Sequence, residues 1–376
     1  MSSAAEVSMS NSIAPVPTAA SLRVTLGTAH GPTGPVWEAL TAAGGNGFMH
    51  PAALAAAASE TGAEIFTLAA WIDTALVGFW ALRLRRPQPF LPAQLEALPY
   101  DYAFLSTPIL VPEHADAVMA AFLATIADAP TLPKALWLKD FDADGPAFAA
   151  LANYPQTPIR TQSRPIATPD DGIKTGGSTR KKLRQNFNRL AALGAVELVQ
   201  HRDPTTIGRA LETFFRLEAA SWKGSEGTAL ANTPADAAFA RRMVTDLAQT
   251  GGAAIIELQL EGKPIASQVL VLCGPHAFTW KIAFDGEFAK YSPGAVLVDK
   301  LAETLLAGET TLIDSCALDT GFMGQLFSGR KTTIDLVLSA TPTPGLGYRC
   351  AAAYRLGYKQ LRHWRDQLRA RRQSWP

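Results

Sequence analysis

The chain has 376 residues, of which 48% are hydrophobic and 18% charged, with 29 Gly and 26 Pro. This is too apolar for a disordered chain and too aperiodic in glycine for a fibre, and at roughly 100–200 residues per domain the length suits two domains or one large one. Lys and Arg total 34 against 33 Asp and Glu, so bulk charge marks neither a nucleic-acid binder nor a polyacid. The balance conceals an uneven distribution. Segment 178–194 carries five basic residues and no acid, and segment 355–372 carries seven basic residues and one acid. Setting both aside leaves a net charge of −10 on the remainder, so an acidic body bears two basic stretches.

In chain order, residues 1–21 are small and polar with Pro15 and Pro17, and read as a flexible tail without the basic start or apolar core of a signal peptide. An Ala-rich helix is expected over 51–60, then a hairpin over 64–84 turning at Asp73-Thr74, then a strand over 101–107. Pro112 opens a helix that continues to 127, and a strand follows at 135–139. Residues 155–177, rich in Pro, Thr, Gly and Asp, read as a linker. Ser178 is placed to cap a basic helix over 179–193 whose Leu183, Phe187, Leu190 and Leu193 share one face.

The first pattern then recurs. A helix over 234–249 begins at Thr233-Pro234, a hairpin over 253–272 turns at Glu261-Gly262-Lys263, and a strand covers 276–284. A helix opened by Pro293-Gly294 runs to Gly308, and a strand follows at 311–315. Helix, hairpin, strand, helix, strand thus occurs twice, the mark of a duplicated unit. The chain ends in an amphipathic helix on Tyr354, Tyr358, Leu361, Trp364 and Leu368. The expected divisions are a tail over 1–22, a first copy over 23–154, a linker and basic helix over 155–195, a second copy over 196–350, and a basic amphipathic helix over 351–376.

Cys273, Cys316 and Cys350 lie far apart, which excludes a cysteine-dense disulfide scaffold and suits a reducing cytoplasm. None of the six histidines shows metal-ligand spacing, so no metal is expected. There is no G-x-S-x-G elbow, P-loop or G-x-G-x-x-G, and no stretch of about 18 residues apolar enough to span a membrane.

The repeated order resembles the GNAT acyltransferase core, and two copies resemble the tandem arrangement of Fem-type aminoacyltransferases. Locally, Arg180-x-x-x-Arg184, LEAASWKGSEGTAL at 217–230, EGKPIASQ at 261–268, WKIAFDGEFAKYSPG at 280–294 and IDSC at 313–316 resemble the CelD/BcsL-type acetyltransferases associated with exopolysaccharide synthesis. The resemblance implies an α/β, tandem GNAT (acyl-CoA N-acyltransferase) fold with two mixed-sheet domains. It implies acetyl-CoA as acyl donor and an amine of an amino sugar or a polysaccharide or cell-envelope precursor as acceptor.

In that family the sheet splays after the fourth strand, here 276–284, and the donor's pyrophosphate lies over the next helix N-terminus. Ser292, Gly294 and Ala295 then become the donor-binding positions, although the usual Q/R-x-x-G-x-G/A loop is absent and Pro293 removes one amide. Asp285 is the first candidate for base or amine-positioning carboxylate, and Asp285-Gly286 is also a turn-forming pair. Lys281 and Trp280 lie on alternate faces of the strand, with Lys281 favoured for the cleft, and Asp314 is a further candidate. Trp222, Lys223, Trp280, Arg180 and Arg184 are candidate substrate contacts. The first copy has only PEHAD at its helix start and is expected to be degenerate. Cys316 reads as core, with no histidine near it in sequence.

Two other readings follow from the same residues. One is aminoacyl transfer from tRNA, suited by the basic helix. The other is a catalytically inactive GNAT pair serving as a binding subunit of a glycan-synthesis complex. The C-terminal helix, aromatic on one face and basic on another, suggests peripheral attachment at the inner face of a membrane.

Overall fold

The computed structural model describes residues 21–221 and 229–373, with side chains described to residue 367 in the last helix. In the first half, β1 (Leu22–Thr28), α1 (Pro35–Thr41) and α2 (Pro51–Thr61) precede the hairpin β2 (Ile65–Ile72) and β3 (Ala75–Arg85). Then come β4 (Gln94–Glu96), β5 (Ile109–Leu110), α3 (Ala115–Asp128), β6 (Ala135–Asp142), α4 (Pro146–Ala149) and β7 (Gln156–Ala167). The second half runs α5 (Ser178–Ala191), β8 (Val196–His201), α6 (Pro204–Ala219), α7 (Pro234–Ala248), β9 (Ala253–Leu260), β10 (Lys263–Cys273) and β11 (His276–Phe284). It closes with α8 (Pro293–Leu306), β12 (Leu312–Asp314), α9 (Phe322–Leu326), β13 (Gly329–Ser339) and α10 (Leu346–Gln373).

The strands form one mixed sheet in the order β1-β2-β3-β4-β6-β13-β7-β12-β11-β10-β9-β8, with β5 attached to β3. Read from its two ends, the order is the same in both directions except at the centre. There β7 leaves β6 to pair antiparallel with β12, and β13 returns to pair antiparallel with β6. The two long strands also pair with each other, from Gly329 opposite Ile166 to Leu338 opposite Gln156. Each half has therefore exchanged its last strand with the other.

The hairpins form where alternation and turn residues placed them. Glu261 and Gly262 adopt φ of 51° and 74°, the left-handed pair that matches the twist of a two-residue hairpin. Three expectations change. Residues 156–167, read within a linker, are the strand β7, hydrogen-bonded on both sides. Residues 101–107 enter no strand. Gly177, at φ 94°, occupies the cap position of α5, and Ser178 is already its first helical residue. On α5, Leu183 and Leu190 are buried and Phe187 packs beside them, whereas Leu193 is exposed beyond the helix end.

A continuous apolar core joins the halves. Phe48 of the first half meets Phe278 of β11 edge-on, with ring centroids 5.2 Å apart, and α2 packs along α7. His50 caps α2, its Nδ1 accepting from the Ala52 amide at 3.1 Å, while its ring packs edge-on to Trp37. Burial pushes this imidazole down from 6.5 to about 4. The fold thus favours neutral His50: its contribution is full above pH 6.5 and is lost as pH falls from 6.5 towards 4, where the unfolded chain takes up a proton that the folded chain refuses. The linked loss is up to about 3 kcal/mol.

His50→Asn keeps a cap acceptor and removes the titration, so urea midpoints should fall less between pH 7 and pH 4.5 (roughly the interval bounded by these two pKa values) than in the parent. A residual slope is expected from His276, whose imidazole burial also pushes down.

Candidate functional site

The site grows from the shortness of one strand. β12 runs parallel to β11 only where Leu312, Ile313 and Asp314 face His276, Ala277 and Phe278. The Thr279 hydroxyl donates to the Ser315 carbonyl at 2.8 Å, closing the apex. Cys316 then turns at φ 51°, and β11 continues to Phe284 while the chain beyond β12 departs. A gap opens between the outer part of β11 and β7. Its mouth is bounded by the 3₁₀ turn Gly286–Tyr291 and the start of α8.

Residues 102–106 cross this gap from the first half. The Trp280 indole donates to the Tyr102 carbonyl at 2.9 Å, Arg164 Nη2 to the Phe104 carbonyl at 2.6 Å, and the Trp80 indole to the Ser106 carbonyl at 3.0 Å. Three alternate carbonyls are taken by side chains, which is why an apolar segment expected as a strand joins no ladder. The Tyr102 hydroxyl donates to Asp236 Oδ2 of α7 at 2.6 Å, and its ring stacks on Phe239. Burial and the Asp236 carboxylate push the phenol well above its ordinary range, so it stays protonated at neutral pH. Lys281 Nζ lies 4.7 Å from the Tyr102 ring centroid and 5.8 Å from that of Phe104.

Below the apex lies a ladder of charge. Asp314 is fully buried, and its Oδ1 accepts from the Cys316 amide at 2.8 Å. Its Oδ2 faces Arg164 Nη1 at 3.6 Å and Lys331 Nζ at 4.0 Å, and Lys331 pairs with Asp142 at 3.1 Å. Burial alone would lower the Arg164 guanidinium, but Asp314 leads the charges that leave it raised. Burial, reinforced by Asp314, pushes the Cys316 thiol well up and so disfavours its thiolate.

The predicted residues fall into separate groups. Asp285 caps the 3₁₀ turn by accepting from the Glu287 amide at 3.0 Å and pairs with Lys263 at 3.3 Å. It lies seven residues beyond Phe278, the partner of Asp314, so the two backbone positions are about 23 Å apart along the strand direction and the two carboxylates do not form a pair. Trp280 is buried in the core, while Lys281 is half-buried at the gap. Ser292 stands at φ 50° before Pro293, and its carbonyl accepts from the amides of Ala295 and Val296 at 3.0 and 3.1 Å. Gly294 is buried, and a Cβ there would lie 3.4 Å from Ile282 and Phe284, so this glycine brings α8 onto β11. Arg180 pairs with Asp299 and Glu303 of α8, whereas Arg184 is exposed. Trp222 and Lys223 lie outside the described residues.

Tyr102, Arg164, Asp236 and Lys331 escaped the sequence reading. The one signal was Arg164 itself, a basic residue beside Pro165 in a stretch taken for linker. Among the described residues no group of three or more His, Cys, Asp or Glu could hold a metal ion, and no helix is long and apolar enough to cross a membrane.

Residues 177–322 match the family model described as an acetyltransferase (GNAT) domain. Among solved structures, the chain is similar to the C-terminal domain of a putative lysylphosphatidylglycerol synthetase from Agrobacterium fabrum, at 10% identity and a TM-score of 0.52 over 84% of this chain and 93% of that one. It is similar to FemX at 13% identity and a TM-score of 0.53, over 80% of this chain and 94% of that one. At such identities the likeness speaks for the fold alone. No curated protein matches the chain.

Removing Asp314 should be far costlier than removing Asp285. Asp314→Ala leaves the buried Arg164 guanidinium without its ion-pair partner and should cost about 3–5 kcal/mol in chemical denaturation. Asp285→Asn breaks a pair with an exposed lysine and should cost about 1 kcal/mol or less.

Proposed function

We propose that the protein transfers an acetyl group from acetyl-CoA to an amine, and that the acceptor is an amino sugar or a related polysaccharide or cell-envelope precursor. The observation that carries this reading is the match of residues 177–322 to the acetyltransferase domain, because that segment holds β11, β12 and the start of α8, which bound one side of the gap. The resemblance to CelD/BcsL-type enzymes supports the acceptor class.

A strand that runs on past its neighbour suits an extended amide-bearing arm of the donor. Acyl transfer then needs a neutral amine, support for the developing oxyanion and a protonated leaving group. Lys281, a cation against the rings of Tyr102 and Phe104, is assigned to the oxyanion. Asp285, at the mouth, is assigned to receive the amine as an ammonium and orient it as its proton passes to water; the amine then attacks the thioester carbonyl, the C–S bond breaks, and the departing thiolate takes a proton from water. Its engagement with Lys263 and the Glu287 amide suits a positioning carboxylate better than a strong base.

One observation favours a second reading, an aminoacyl-tRNA donor. The start of α8 offers a pyrophosphate little: Pro293 has no amide, Gly294 is buried, and the next two amides already bond Ser292. Lys181, Lys182, Arg184 and Arg189 are exposed on α5, which packs on α8 and could follow a phosphate backbone instead.

Calorimetry with acetyl-CoA and mass spectrometry of an amine panel decide between them. Saturable binding and an acetylated amine are expected; turnover of charged tRNA without acetyl-CoA binding selects the second reading, and no transfer from either donor removes both. Lys281→Met should lower kcat about 100-fold with donor binding retained. Asp285→Asn should raise KM for the amine, and unchanged kinetics would take Asp285 out of the site.

A further inference from the structure

The C-terminal helix points to a second kind of partner. It is anchored at its start: Ala351 and Ala352 are buried with Tyr348 and Tyr354 against Trp137, Ile159 and Val337, and the Arg355 guanidinium lies 4.0 Å over the Trp137 ring. Beyond Arg355 every described side chain to residue 367 is exposed. Residues 356–367, about 18 Å of helix, thus carry only exposed side chains.

Its exposed surface is not merely polar. Tyr358, Leu361 and Trp364 are 53%, 64% and 64% exposed, large apolar groups that a solvated helix has no reason to carry. Their spacing of three puts them on one stripe, and Tyr354 and Leu368 extend it by position, the Leu368 side chain lying outside the described set. Arg355, Lys359 and Arg362 follow one flank of this stripe, Arg365 lies within it, and segment 355–372 carries seven basic residues against one acid. Tyr358, Leu361 and Trp364 lie beyond the anchored turns, so the fold itself leaves this part of the stripe uncovered.

We infer that this helix lies on an anionic lipid bilayer, with the Tyr358, Leu361 and Trp364 stripe in the headgroup and acyl boundary and the arginines at the phosphates. An aromatic and leucine stripe flanked by long cations is the surface that such an interface rewards, since the alkyl stems of Arg and Lys reach outward while the rings stay at headgroup depth. Two copies pairing through this helix would set one strongly basic segment against another. A nucleic acid would engage the cations and leave Leu361 and Trp364 in water. This inference is independent of the acyl donor and of the acceptor proposed above.

Co-sedimentation of the full chain with vesicles of phosphatidylcholine, and with an equal mixture of phosphatidylcholine and phosphatidylglycerol, tests it. The protein should pellet with the mixed vesicles at low salt, remain in solution with the neutral ones, and be released as salt screens the charges. The double variant Leu361→Ser, Trp364→Ser should weaken recovery about tenfold or more with an unchanged thermal midpoint, because neither residue touches the core. Arg362→Gln, Arg365→Gln should weaken recovery on mixed vesicles and reduce its salt dependence. Equal recovery on neutral and mixed vesicles, full recovery of either variant, or absence of vesicle binding would each overturn the inference. In the last case, concentration-dependent dimerisation in light scattering would assign the stripe to a second copy.

Discussion

Everything in the molecule depends on the crossing of β7 and β13 at the centre of the sheet. The two strands pair with each other and each pairs outward with the opposite half, so neither half has a complete sheet of its own. Such a pairing must hold its register, because a slip of one residue turns every side chain to the other face. Here ion pairs sit on the crossing. Arg160 meets Asp335 at 2.8 Å, Lys331 meets Asp142, and Arg164 faces Asp314, each joining strands from different parts of the chain. The Arg164–Asp314 and Lys331–Asp142 pairs are largely buried, so a slip that separated them would leave a charge unpaired away from water.

The gap is a by-product of the same arrangement. β12 needs only three residues to link β11 to β7, and its early departure leaves the outer half of β11 facing open space. The first half supplies the wall of that space through residues 102–106, held by Trp280, Arg164 and Trp80. The first half is therefore not idle: it supplies one wall of the gap beside β11. Arg164 links the roles, with one nitrogen on the wall and another facing Asp314 at the apex.

Much of this architecture was legible in the sequence. The duplicated order was visible because hairpins announce themselves by alternation and turn chemistry, and Glu261-Gly262 adopts the conformation its composition suggests. The positions of Pro234 and Pro293 at their helix starts followed from the missing amide. What could not be read is what depends on distant partners. β7 carries Arg160, Gln162 and Arg164 on one face, and a central strand with a polar face looks like a linker until β13 and β12 supply the opposite charges. Residues 101–107 failed in the opposite sense, being apolar enough for a strand while their carbonyls are taken by side chains far off in sequence. Asp285 and Asp314, separate candidates from two motifs, lie near opposite ends of β11, a separation that only the register reveals.

The crossing also dictates the order in which the chain can mature. β6 ends at Asp142 and its neighbour β13 begins at Gly329, about 190 residues later, and a contact of such separation is slow to form. As the polypeptide emerges from the ribosome, the first half has its helices and hairpin but a sheet open along β6, and β7 waits beside it with no β12 to join. Both open edges are closed only once β12 and β13 have been made. The nascent chain must carry an unclosed strand edge while the residues between β7 and β13 are synthesised, a state in which pairing with a neighbouring chain competes with completion of its own sheet.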